Sequence, residues 1–440
     1  MQKVLLLSVG LFVCSIQAQE NIQSVDVPFL WGSAWESGAK PHSLGGAYTA
    51  IANAQTAIRY NPAGLAQFLN SEAFATFSQF NYNSEVTSIG SESSRTTGYS
   101  KMSDIGFTLP VPTYRGSLAI GFSYYQVRDL DGALNLVRFI PHFSAYDSIT
   151  VHYDNYTNGT LSQTSIGGAI EVSPDLYVGL ALNIWGGDRD YNNRFSLRDV
   201  PYNIYYWSRF DSTDHTKTDF SGLNFTLGFL YQWKDIGSLA AVIKTPVALK
   251  AREHWSYLDN PVFEPDAPED IIQNFPPYYA EDSGTVEYKI RSPWILRLGG
   301  ALSRGPLTLS CDVEFIDYSQ IRYLTDTAYE DVDETSANIL IMQELRNVQN
   351  IYLGGEVRWP GMPLIIRGGY TILKNPARSA SRKTFNRWSA GVGLELSDQI
   401  SVDAGYARTR YDGVTDSLIS DEQIETGKLL ITLNYKLSSH

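Results

Sequence analysis

From Glu72 onward the chain falls into segments of about ten residues in which apolar and polar side chains alternate, bounded by Gly, Pro, Asp and Ser. A period of two builds a strand with one apolar and one polar face, and it does not fit a helix, whose faces repeat every 3.6 residues. In the last segment Leu429, Ile431, Leu433, Tyr435 and Leu437 share one face, while Lys428, Thr432, Asn434 and Lys436 share the other; Leu430 is the exception. Leu118, Ile120, Phe122 and Tyr124 likewise alternate with Ala119, Gly121 and Ser123. Trp388, Ala390, Val392, Leu394 and Leu396 alternate with Ser389, Gly391, Gly393 and Glu395.

The segments are 72–83, 102–110, 116–126, 162–173, 175–186, 218–233, 236–246, 285–302, 306–317, 348–359, 362–373, 384–396, 399–410 and 426–437, fourteen in all. Short turns such as Lys234-Asp235 and Pro360-Gly361 alternate with long excursions at 84–101, 127–161, 187–217, 247–284, 318–347, 374–383 and 411–425. Short periplasmic turns and long extracellular loops are the topology of a transmembrane antiparallel β-barrel. The fold class expected is therefore all-β, a barrel of about 14 strands over residues 72–440. Trp233 and Trp359 precede short turns, and Trp185, Tyr124 and Tyr125 stand near long-loop ends, where aromatic girdles meet headgroups. An exported sandwich or propeller would also alternate. It accounts poorly for the loop lengths and would call for a repeat of about 40 to 50 residues that the chain lacks.

Lys3, the apolar stretch Val4 to Ile16 and Gln17-Ala18-Gln19 make residues 1–19 a cleavable signal peptide. Beyond it no apolar run approaches the roughly 18 to 20 residues of a spanning helix. The location expected is the outer membrane of a diderm bacterium, with outer-membrane lipid and lipopolysaccharide as surroundings. With 34 basic against 47 acidic residues the chain carries −13, which argues against a nucleic-acid partner. Cys14 lies in the signal and leaves Cys311 without a disulfide partner, on the lipid-facing parity with Leu309 and Val313. By the same parity Glu171, Arg297, Asp312, Glu314, Glu356, Arg358, Arg367, Glu395 and Asp403 face the lumen, where opposite charges can brace the barrel.

Residues 20–71 do not alternate. Leu44-Gly45-Gly46-Ala47 opens a run of small residues, and Asn61-Pro62-Ala63-Gly64-Leu65-Ala66 forms a tight turn. Pro62 fixes its own φ and drives Asn61 to extended geometry, while Gly64 offers a positive φ. About eight strands already fill a barrel with side chains, so a wider one needs a plug. Residues 20–71 are read as that plug, or hatch.

The run from Gly45, Gly46 and Ala47 through Asn61, Pro62, Ala63, Gly64 and Leu65 resembles the N-terminal signature of FadL-type outer-membrane transporters. The resemblance implies uptake of long-chain fatty acids or other hydrophobic small molecules through a hatched barrel. It also implies capture among extracellular loops and movement into an internal pocket. A sister group resembling PorV shares the signature and implies a different partner, a protein-secretion system. Apolar loop patches offer ligand contacts at Phe139, Tyr205 and Trp207, and Arg138 near them or Arg297 and Arg367 in the lumen could pair with a fatty carboxylate.

An enzymatic reading fits less well. His42 lies in the hatch, His142, His152, His215 and His254 in the long excursions and His440 at the end, so no histidine falls in an expected strand. No metal-binding or phosphate-cradling motif is present, and no cofactor is expected. The acidic stretch Asp326 to Glu334 lacks the spacing of a calcium loop.

Overall fold

The computed structural model describes residues 37–88, 91–144, 147–199, 207–233, 236–263, 265, 268–269, 281–325, 333–378, 384–412 and 421–437. The expected signal peptide and residues 20–36 of the expected hatch lie outside them.

Fourteen antiparallel strands close into one barrel. In chain order β1 is Ser71–Ser88, β2 is Ser91–Val111, and β3 runs in two pieces, Leu118–Asp129 and Gly132–Ser144. β4 is Asp147–Ser173, β5 Leu176–Asp199 and β6 Trp207–Trp233, while β7 joins Gly237–Lys244 to Ala248–Phe263. β8 joins Asp282–Arg291 to Ile295–Arg304, and β9 is Leu307–Asp317 with a short continuation at Arg322–Tyr323. β10 to β14 are Asn347–Arg358, Leu364–Lys374, Thr384–Glu395, Ile400–Asp412 and Asp421–Leu437. Each strand pairs with its neighbour, and β1 closes on β14 from Ser71↔Leu437 to Thr87↔Asp421.

The alternation has the expected sense. Ile120, Leu298, Leu309, Val392 and Leu433 stand exposed on the outer face, and Cys311 is exposed with them. Ala119, Arg297, Ser310, Gly393 and Thr432 turn inward and are buried. Leu430, the polar-face exception, is fully buried inside the barrel.

Several expectations are corrected. The excursions read as loops at 84–101, 127–161 and 187–217 are largely strand, because β4 and β6 each run 27 residues and β5 runs 24. Beyond the hydrocarbon neither face has to be apolar, so the backbone ladder continues where the hydropathy signal stops. For that reason His142, His152, His215 and His254 lie in strands. Trp185 and Tyr125 are not girdle residues: Trp185 packs inside and donates from Nε1 to Asn224 Oδ1 at 2.9 Å, and Tyr125 is buried. Arg358 and Glu395 keep the inward parity, Arg358 standing across from the buried Ile365, but they lie exposed at the periplasmic mouth and pair there at 2.6 Å.

β7 and β8 break at the same height, at residues 245–247 and 292–294. Pro246 and Pro293 cannot donate to the ladder. The gap is bridged by Ser292 N–H to Val247 O and Val247 N–H to Ser292 Oγ, both 2.9 Å.

Candidate functional site

The lumen holds the described part of the hatch: helix α1 (Ala39–Ser43), helix α2 (Ala57–Tyr60) and a 3-10 helix (Pro62–Gln67). Gly45 and Gly46 take φ of 62° and 82°, a left-handed turn that a side chain resists, and this turn reverses the chain after α1. Asn61 is extended at φ −153°, as its place before Pro62 requires. Its Oδ1 accepts from Ala63 N–H at 3.1 Å, and its Nδ2 donates to Thr49 O at 3.0 Å and Phe229 O at 3.1 Å. One side chain thus caps the 3-10 helix and ties it to β6. Gly64 does not take a positive φ; its constraint is space, since a Cβ there would lie 2.0 Å from Ala52 O.

The wall holds the hatch by its backbone. Ser310, Thr371, Ser238 and Ser389 hydroxyls donate to the carbonyls of Ala47 (2.8 Å), Gly45 (2.7 Å), Ala50 (2.6 Å) and Ser43 (3.1 Å). Asp312 on β9 accepts from Tyr48 N–H, Thr49 N–H and Thr49 Oγ1 at 3.0, 2.9 and 2.6 Å. Wall glycines make the close approach: a Cβ at Gly179 would meet Pro62 C at 2.3 Å, and one at Gly369 would meet Gly45 N at 2.2 Å.

Both lumen arginines singled out from the sequence are engaged. Arg297 donates to Gly46 O at 2.5 Å, lies 3.2 Å from Asp312 and stacks over the Tyr352 ring at 4.0 Å. Arg367 pairs with Glu356 and Asp403, each at 2.6 Å. The loop candidates are not brought to them. Phe139 is 53% exposed, on one face with Val137. Arg138 pairs in register with Val151, Trp207 pairs with Phe263 at the start of β6, and Tyr205 lies outside the described residues.

Above the hatch the lumen changes character. Leu161, Phe220, Leu249, Ile290, Ile316 and Ile321 form an apolar cluster on the extracellular side, and Ile341 and Leu345 close it from above. Ile341 belongs to helix α3 (Glu334–Glu344), in the excursion between β9 and β10, and Leu345 directly follows it. The sequence concealed this cluster, because Leu161, Leu249 and Ile321 lie beyond the expected segment ends while Phe220, Ile290 and Ile316 stand singly within expected segments. Beneath it lies a polar layer with Asn183 bonded to Asn224 and Thr226, Arg59 stacked 4.3 Å from the Tyr125 ring, and Glu314 accepting from Asn350 and Tyr352.

Lys244, at the upper end of the first piece of β7, stands at this boundary. It pairs in register with Ile295, which packs against the apolar cluster, and its charged neighbours are Arg59, Arg297 and Glu314. Among the described residues no hydrogen bond or ion pair engages its ammonium group. Parity alone could have flagged Lys244, since Ser238, Ala240 and Val242 share its inward face.

Residues 37–436 match the family described as outer membrane protein transport protein (OMPP1/FadL/TodX). No curated protein matches the chain. The fold is similar to that of a Pseudomonas aeruginosa FadL homologue, with a TM-score of 0.63 and 12% identity over 92% of this chain and 100% of that one. The P. putida toluene transporter TodX aligns with a TM-score of 0.61 and 11% identity over 93% and 100%. The monoaromatic hydrocarbon channel CymD gives 0.54 and 13% over 92% and 98%.

Proposed function

Because the chain belongs to the OMPP1/FadL/TodX family of outer membrane transport proteins, we propose that its cargo is a long-chain amphiphile ending in a carboxylate, a fatty acid above all. The observation that carries this reading is Lys244, a lumen lysine that makes no hydrogen bond or ion pair among the described residues, beneath an apolar cluster. A hydrocarbon tail that parts this cluster and leaves water gains roughly 0.8 kcal/mol per buried methylene. The head then rests on a cationic floor, where Lys244 and Arg59 attract it and Arg297 is already committed to Asp312 and Gly46. α3 and the residue after it cap the cluster, so entry requires them to yield.

Toluene and other monoaromatic hydrocarbons, named for two of the similar structures, are neutral. They would use the apolar cluster and leave Lys244 idle. The neighbours named above give the secretion-accessory reading no support.

Labelled long-chain fatty acid and its methyl ester, offered to a transporter-deficient host expressing the chain, separate these readings. The acid should enter faster than in the empty-vector host, Lys244→Met should reduce acid uptake severalfold, and Lys244→Arg should restore it. Equal acid and ester uptake, with Lys244→Met silent, would make the cargo a neutral hydrophobe. Uptake of neither above empty vector would end the transport reading for these compounds.

A further inference from the structure

The outer wall carries a basic patch in a chain of net charge −13. On the upper pieces of β7 and β8, Lys250, Arg252, Lys289 and Arg291 share the outward face, opposite the buried Leu249, Ala251 and Ile290. The register sets Lys250 directly across from Lys289, and Arg291 across from Arg322. Like charges in directly opposed positions repel, so the patch is costly as it stands. Glu287 offsets part of it, 2.8 Å from Lys250 and 3.4 Å from Arg252, and Asp219 of β6 lies across from Arg252. Lys289 and Arg291 make no side-chain hydrogen bond or ion pair among the described residues, although Glu287 also attracts Lys289. Arg322 spends Nη1 on the carbonyls of Ser319 and Ile321, both at 2.6 Å.

At the lower edge of the patch the aligned breaks of β7 and β8 open a cleft of about 230 Å³, lined by Pro246, Arg291, Ser292, Trp294, Gln320 and Arg322. That is several times the roughly 30 Å³ share of one water. Its height in the membrane can be read from β8. Trp294 is 52% exposed, and below it Leu296, Leu298 and Leu302 form the outward apolar row. A tryptophan crowning such a row marks the headgroup level. The cleft and its cations therefore sit where lipid phosphates lie, on the side of the strands that points to the extracellular medium.

We propose that this cleft binds the phosphorylated headgroup of an outer-leaflet lipid, with Arg291 and Arg322 gripping the phosphate, Lys250 and Lys289 facing it from above, and Trp294 packed on the sugar or upper chain. The planar guanidinium forks suit a phosphate, and their mutual repulsion is relieved when it arrives. The breaks in β7 and β8 thereby gain a role in shaping a lipid seat.

Native mass spectrometry of the detergent-purified full chain tests the assignment, with lipid A diphosphate as the probe. The wild type should retain it at least tenfold better than dephosphorylated lipid A, and inorganic phosphate at millimolar concentration should not displace it. Arg291→Gln combined with Arg322→Gln should weaken retention at least tenfold while the barrel keeps its heat-modifiable migration. Arg291→Lys with Arg322→Lys should lose less, because charge remains without the fork. Equal retention of dephosphorylated lipid A, undiminished binding by the folded double glutamine variant, or displacement by free phosphate would each overturn the proposal. If the glutamine variant fails to fold, a folded Arg291→Lys, Arg322→Lys variant that retains the lipid as well as the wild type would overturn the assignment.

Discussion

Asp312 and Thr49 are bound twice over, the carboxylate accepting the Thr49 backbone N–H at 2.9 Å and its hydroxyl at 2.6 Å, so the barrel wall grips the hatch at one residue from two directions. Arg297 stands 3.2 Å from the same carboxylate and holds the hatch at Gly46 O. The group that neutralises the arginine is the group that fixes the plug.

Asp312→Ala should therefore loosen the hatch without dissolving the barrel. It leaves the Tyr48 and Thr49 N–H groups unsatisfied and Arg297 without its counter-ion, and breaking a buried pair from one side costs about 3–5 kcal/mol. Planar-bilayer recordings should show more frequent openings than the wild type, with heat-modifiable migration retained. Asp312→Asn, which keeps an acceptor, should fall between the two. Conductance no different from wild type in the alanine variant would show that the hatch is held elsewhere.

Gly179→Ala tests the close approach of wall and hatch. Its Cβ would lie 2.3 Å from Pro62 C and 2.4 Å from Ala63 N, both backbone atoms. Overpacking of this kind costs about 1–3 kcal/mol. Gly300→Ala is the control, since its Cβ would meet only Leu239 Cδ2, at 3.4 Å. Unfolding in urea should begin at lower concentration for Gly179→Ala and be unchanged for Gly300→Ala.

The helix over the apolar cluster should respond to acid. Asp333 caps α3 by accepting from Ser336 N–H at 2.7 Å, which holds its carboxyl below the usual carboxylate range. A carboxyl more acidic in the folded state than in the unfolded one lends stability that is complete above the unfolded pKa. That stability is lost as pH falls through the folded pKa. The cap should therefore be intact at neutral pH and fail only in strong acid. A spin label at the exposed Met342 should be ordered near about pH 7 and become mobile only as pH falls to about 2, below the usual Asp range. Asp333→Ala should be mobile at both, and a wild-type label indifferent to pH would refute the role of the cap.

Cys311 should behave as a lipid-facing thiol. It is exposed on the row of Leu309 and Leu353. In intact membranes a charged, water-soluble thiol reagent should leave it unmodified, whereas an apolar maleimide should label it slowly. Rapid labelling by the charged reagent would place it in water.

The membrane-embedded half of the wall was legible because each strand there must show lipid an apolar face, so Ile120, Leu298, Leu309 and Leu433 announce their direction. The plug was legible in outline, since Pro62 and the glycines at 45, 46 and 64 limit what the backbone can do. The rest depended on pairs far apart in sequence. Nothing near Arg297 marks it as a hatch anchor, because its partners are Gly46 and Asp312. The upper strands escaped notice because His152, Asp190 and His215 sit in ladders outside the lipid, where alternation carries no energetic weight. His215 Nε2 lies 2.9 Å from Asp190, a pair made by neighbouring strands that sequence separation hid.

The 27-residue strands β4 and β6 determine where cargo is met. At roughly 3.3 Å per residue each is about 90 Å long, and a tilt near 40° leaves about 70 Å of height. The apolar band accounts for only about 25 Å of that. That side of the barrel, β3 to β8, thus stands roughly 40 Å clear of the hydrocarbon, whereas β9 to β13, of 11 to 13 residues, end near its edge. A molecule descending along the tall wall crosses the hydrated sugar layer of the outer leaflet against protein before it touches the membrane.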